Sequence, residues 1–152
     1  MSSHRLLPRL LLAPMLAAVL LLTTGCFIRP GRTDHDTDIV SRLKIEIPKS
    51  ATNIVGHTDK GVDFLMPNDQ WRDYVAKYYP GKTLSQFPYA TAYEAPAECI
   101  PAFRSGAKLV MWVTGDEIQF RKTDHNMRRS VSVTPDCEAG KALVQWRLRW
   151  LD

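Results

Sequence analysis

The sequence predicts an α+β domain: a mostly antiparallel sheet with one main helix, about 68–79, packed on one face. Three observations predict it. Apolar and polar residues alternate at strand period on both sides of a central window. Within that window, apolar and aromatic residues recur at helical spacing. Pro, Gly, Asn and Asp punctuate the runs where the chain must turn.

Leu43, Ile45 and Ile47 alternate with Lys44 and Glu46 until Pro48 ends the first strand-like run. Asn53–Thr58 is a second short candidate. Asp59-Lys60-Gly61 then turns the chain into Val62–Met66, where Val62, Phe64 and Met66 share a face, as in a hairpin. After Pro67, Asn68 suits an N-cap and Asp69 suits the positive end of a helix dipole. Trp71, Val75 and Tyr78 fall at i, i+4 and i+7, with Tyr74 flanking, and Pro80-Gly81 stops the helix. Helical spacing favours core packing for these aromatics over a ligand platform.

Lys82–Ser105 reads as a long irregular passage containing Pro88, Pro96 and Pro101, either a binding loop or a passive connection. A meander follows. Ala107–Thr114 is apolar, Gly115-Asp116 reads as a turn, and Glu117–Arg121 alternates before a second turn at Thr123–Asn126. Val131 and Val133 share a face of the next run. Val144, Trp146, Leu148 and Trp150 alternate with Gln145, Arg147 and Arg149, so one face should be buried and the other basic.

The first 25 residues differ from this domain. Arg5 and Arg9 precede an apolar run, Leu10–Leu22, which is too short to span a bilayer at roughly 20 residues but suits a signal-peptide core. Leu22-Thr23-Thr24-Gly25-Cys26 resembles the lipobox of bacterial lipoproteins, with a small residue directly before the modified cysteine. The resemblance implies cleavage before Cys26, a diacylglyceryl thioether on its sulfur and often a further acyl chain on the new amino terminus. Two or more chains give a stable membrane anchor where one does not. The expected organisation is a signal peptide over 1–25, lipidated Cys26 with a flexible tether over 26–42, and a single domain over 43–152. The segment from Ile47 through Tyr79 also resembles small actinobacterial membrane lipoproteins, through Pro48-Lys49-Ser50-Ala51-Thr52, Gly61-Val62-Asp63 and Pro67. That resemblance implies an extracytoplasmic lipoprotein domain on the outer side of the cell membrane and carries over no functional residue.

With Cys26 acylated, Cys99 and Cys137 remain, and an even remainder in an exported protein points to a disulfide. A catalytic thiol would want a histidine partner, and a zinc site two more ligands; neither has local support. The chain offers no nucleophile elbow, His-Glu-x-x-His, phosphate loop or dinucleotide fingerprint. Asp34–Asp38 opens like a calcium loop, but Ile39 and Ile45 stand where glycine and glutamate are required. His57 with Asp59 and Asp63 forms an acid/base group if the hairpin joins them; polar turn residues meet by chance often enough that no catalytic set, metal site or cofactor is assigned.

The formal charge of +4 includes Arg5 and Arg9, so the remainder is close to neutral and does not favour nucleic acid. Arg128, Arg129, Arg147 and Arg149 fall on two candidate neighbouring strands. They read as a solvated sheet face or as a patch for anionic headgroups, an anionic envelope polymer or an acidic protein, with the solvated face the simpler reading. The functional expectation is a non-enzymatic, membrane-anchored binding module for an envelope protein or polymer. A hydrolase with a loop-assembled site and a small-ligand receptor using the aromatic helix face are the alternatives. Replacing Cys26 with serine should abolish fatty-acid labelling and release the chain from membranes; continued labelling would sink the anchor.

Overall fold

The computed structural model describes residues 38–58, 60–119 and 125–151. The expected signal peptide over 1–25, Cys26 and the expected tether up to residue 37 lie outside them.

Six strands form one sheet: β1 (Thr52–His57), β2 (Gly61–Pro67), β3 (Ser85–Pro88), β4 (Val110–Gln119), β5 (Asn126–Glu138) and β6 (Lys141–Trp150). Their order is β1-β2-β6-β5-β4-β3, with every neighbouring pair antiparallel. The β1–β2 hairpin comes first along the chain, which then crosses to the far edge. It returns as a β3-β4-β5-β6 meander that closes on β2. The expected α+β domain with one main helix over about 68–79 is therefore corrected: the architecture is dominated by antiparallel sheet. The helix in that window, α2, is only Trp71–Ala76. Asn68 does not cap it. Instead, the Asn68 side-chain amide donates to Asp136 Oδ1 at 2.5 Å and accepts the Asp136 backbone N–H at 3.1 Å, which pins the bulge at the end of β5. Past Ala76 the chain tightens into turns, with the Tyr78 N–H on the Val75 carbonyl, before Pro80 and Gly81.

Strand alternation sorts the side chains onto two faces. Val62, Phe64 and Met66 of β2, Val131 and Val133 of β5, and Val144, Trp146 and Leu148 of β6 point to an inner face that forms the main core. Helix α1 (Ile39–Leu43) and α2 close it, through buried Ile39, Val40 and Leu43 and buried Trp71, Tyr74 and Val75. Residues 39–42, assigned to the tether by sequence, thus belong to the folded unit, because three apolar side chains at i, i+1 and i+4 give even this short helix a buried stripe.

The alternating run at Leu43–Ile47 buries Leu43, Ile45 and Ile47 as its pattern requires, yet it is a strap across the core without a ladder partner among the described residues. Side chains satisfy its backbone instead. Tyr74 Oη donates to the Glu46 carbonyl at 2.9 Å, and the Glu46 N–H donates to Tyr78 Oη at 2.8 Å.

Gly115-Asp116 is not a turn, and β4 runs straight through it. A Cβ on Gly115 would stand 2.7 Å from the Arg129 carbonyl oxygen, so glycine here permits close approach of β4 and β5. The passage read as irregular, 82–105, contains edge strand β3 and a 3-10 turn, Ala97–Cys99, that continues as α3 (Ile100–Arg104). These last elements pack on the outer face, where Leu65, Leu109 and Leu143 surround the Cys99–Cys137 disulfide. The two cysteines are 38 residues apart, a loop closure worth roughly 3–4 kcal/mol on chain-entropy grounds. Replacing both with alanine should lower stability by about that amount in urea unfolding, and a loss below about 1 kcal/mol would show that the small outer cluster holds the loop by itself.

Candidate functional site

Away from the disulfide, the outer face is polar. The β2–β6 register sets Asp63 opposite Gln145 and Gly61 opposite Arg147, and the β5–β6 register adds Ser132 and Ser130 beside those two β6 residues. At the centre lies Asp63, a buried carboxylate amid donors. Arg147 grips both of its oxygens, with Nη2 2.9 Å from Oδ2. Gln145 Nε2 donates to Oδ2 at 3.2 Å, and His57 Nε2 lies 3.0 Å from the same atom. A carboxylate can only accept, so His57 Nε2 carries the hydrogen of this contact. The hairpin thus joins His57 to Asp63 as the conditional reading of those residues required; Asp59 lies outside the described residues.

Beside this cluster a cleft of about 530 Å³ is lined by His57, Lys60, Arg147, Leu148 and Arg149. The backbone of Lys60 is tied to β6, because the Leu148 N–H donates to the Lys60 carbonyl at 2.8 Å. Next to it, Gly61 lies so close to β6 that a Cβ there would meet the Trp146 carbonyl oxygen at 1.8 Å. Lys60 and Gln145 were not singled out by sequence. A turn lysine and a strand glutamine carry no signal until register places them beside Arg147.

The four arginines of the basic patch do not stand together. Arg128, Arg147 and Arg149 are on the outer face, with Arg128 directly opposite Arg149. Arg129 points inward and is buried. Its Nε and Nη2 donate to Asp116 at 2.9 and 2.6 Å, and its Nη1 donates to the Leu43 carbonyl at 2.9 Å. Tyr79 Oη donates to the same Asp116 at 3.0 Å, and the guanidinium carbon lies 5.3 Å from the Tyr79 ring centre and 5.7 Å from that of Trp146. Burial by itself would lower the Arg129 pKa; the hydrogen bonds and charge of Asp116, with Tyr79, outweigh it and hold the pKa above the ordinary arginine value. Asp116, read as a turn residue, is instead the partner that makes an inward arginine tolerable.

The aromatic face of α2 is core. Trp71 and Trp112 rings are 5.8 Å apart, and those of Tyr78 and Trp146 are 5.3 Å apart. A ligand platform there finds its rings already engaged. Among the described residues, no group of three or more His, Cys, Asp or Glu side chains is placed to hold a metal ion. His125 stands next to Trp150, with ring centres 6.5 Å apart, and His35 lies outside the described residues. Comparison with known protein families, with curated proteins and with solved structures finds no match.

Burial raises the Tyr74 phenol well above its ordinary range, the neighbouring Tyr78 adding to it, and burial also raises Tyr79 despite the nearby Arg129 charge. Both phenols therefore hold their protons more tightly folded than unfolded. Their contribution is complete below the unfolded tyrosine pKa of about 10 and is lost as pH rises from there toward the folded values. Stability should accordingly fall above about pH 10, with part of the tyrosinate absorbance emerging only together with loss of tertiary structure. Full titration of every tyrosine in the folded state would contradict the packing of Tyr74 and Tyr79.

Proposed function

We propose that this chain is a lipid-anchored, extracytoplasmic, non-enzymatic binding module that meets an envelope partner with the outer face of its sheet. The observation that carries the reading is the unequal covering of the two faces. The inner face is closed by α1, the Leu43–Ile47 strap and α2. The outer face is covered at the disulfide end by α3 and Tyr89, while Ser130, Ser132, Gln145 and Arg147 stay half-buried on the strands themselves. An antiparallel sheet tolerates one solvated face, so exposure is no defect. Half-buried polar strands with a basic margin also suit a wet, polar contact.

The lipobox at Cys26 supports the address, and a tether of about a dozen residues ahead of α1 would let the module face a membrane component or a neighbouring envelope protein. A hydrolase reading has one observation behind it, the carboxylate-oriented His57. Among the described residues no hydroxyl or thiol is hydrogen-bonded to that ring, so the dyad offers at most a base for water.

The test is photocrosslinking in intact cells, with the crosslinker at Ser132 on the outer face or at exposed Lys44 on the strap, each with and without Cys26→Ser. A partner captured reproducibly from Ser132, absent from Lys44 and lost without the anchor, is the expected result. Identical capture from both positions, or none from Ser132, would overturn the reading.

A further inference from the structure

We infer that the cleft between the β1–β2 turn and β6 is a binding site for a phosphate group, held by Lys60, Arg147 and Arg149. The inference rests on the outer face being the recognition surface and names the chemistry it recognises.

Three features carry it. The first is unspent charge. Asp63 neutralises Arg147, but among the described residues neither Lys60 nor Arg149 has an ion-pair partner. The second is a like-charge contact. Arg149 sits directly opposite Arg128, and like charges in directly opposite strand positions are destabilising; Glu117, opposite Arg128 on its other side, offsets the charge of Arg128 but leaves Arg149 without a facing acid among the described residues. A bound anion relieves that repulsion.

The third is donor geometry. Arg147 commits Nη1 to Asp63 and to the Trp146 carbonyl, and one hydrogen of Nη2 to Asp63. Nε–H and the second Nη2 hydrogen have no acceptor among the described residues, and these two form the side-on fork of the guanidinium. That fork matches two oxygens of one tetrahedral anion. Asp63 holds the guanidinium from its other edge, and the Leu148 N–H holds the Lys60 carbonyl, so the ordering cost is reduced at Arg147 and at the Lys60 backbone before binding. Lys60, Arg147 and Arg149 against Asp63 leave a surplus of two positive charges, which suits a phosphomonoester or successive phosphodiesters better than a single carboxylate.

The experiment is an NMR titration of the full chain carrying Cys26→Ser with inorganic phosphate, against chloride at equal ionic strength. Saturable shifts confined to the Lys60 and Arg147–Arg149 region are expected with phosphate and not with chloride. The double variant Lys60→Ala/Arg149→Ala, both exposed and so expected to retain the folded spectrum, should weaken binding about tenfold or more. Arg104→Ala on α3 should leave it unchanged. Absence of saturation, equal shifts with chloride, or full binding by a folded double variant would each overturn the site.

The source of the phosphate is read in two further arms. Co-sedimentation with phosphatidylglycerol vesicles, but not phosphatidylcholine vesicles, that is lost in the double variant assigns it to a lipid headgroup. Competition by soluble poly(glycerol phosphate) at the same resonances, without co-sedimentation, assigns it to a polymer. Neither, with inorganic phosphate still bound, assigns it to small phosphoesters, and all three results uphold the site. Loss of phosphate binding alongside a persistent Ser132 crosslink would discard the phosphate site and keep the binding module. Phosphate binding without any Ser132 partner would do the reverse.

Discussion

Taking a guanidinium out of water costs several kcal/mol unless its donors and charge are matched, and Arg129 makes the fold depend on that match. It projects from β5 into the inner face, where Asp116 from β4 supplies the counter-charge and the Leu43 carbonyl accepts at the end of α1. Tyr78, Tyr79 and Trp146 surround it within 6 Å. One side chain thereby joins two strands to a segment 86 residues away in sequence. The favourable position of a cation at a helix C-terminus adds to the bond with α1. Gly115 is part of the same arrangement, since β4 approaches β5 beside Asp116 only because that position lacks a Cβ.

The covering of the inner face follows from this anchor. With α1 held down, the strap continues over the core in extended form. Among the described residues it has no neighbouring strand, so the N–H and carbonyl of Glu46 would be orphaned without the phenols of Tyr78 and Tyr74. Burial of those phenols and burial of Arg129 are one packing solution: the aromatic rings that line the cation also present hydroxyls to the strap. The elements available for covering, α1 and α2, are used up on this face. Among the described residues, the outer face receives α3 and Tyr89 around the disulfide, and Tyr89 Oη reaches Thr134 Oγ1 at 3.0 Å to close that end.

The two ion pairs at the centre of the sheet divide the labour accordingly. Asp116–Arg129 is a structural pair sealed among rings. Asp63–Arg147 opens toward solvent, with the arginine side chain 34% exposed and part of its donor set unspent. A carboxylate that accepts from Arg147, Gln145 and His57 positions three side chains on adjacent strands at once. In the proposed reading this is how a plain antiparallel sheet acquires a fixed basic margin: Asp63 orients Arg147, and the hairpin backbone orients Lys60 beside it.

Much was legible in the residues alone. Period-two alternation identified the inward residues of β2, β5 and β6 except at Trp150, which the pattern placed on the buried face and which is 53% exposed at the end of β6; an even count of cysteines beyond Cys26 pointed to the Cys99–Cys137 disulfide. Helical spacing marked Trp71 and Val75 as core, but not how short the helix is, because Asn68 was spent on Asp136 rather than on a cap. Alternation at Leu43–Ile47 correctly gave burial without revealing that no strand would pair with it. Local pattern reports which way a side chain points, since that depends on backbone periodicity. It cannot report what the side chain meets. Alternation with Val131 and Val133 already turns Arg129 inward, but whether Gly115-Asp116 turns or runs on, whether Asp116 is there to meet that arginine, and whether Lys60 stands beside Arg149 depend on the register between strands far apart in the chain. Those long-range pairings are settled by tertiary packing, and they decided what the inward arginine meets and which charges line the cleft beside β6.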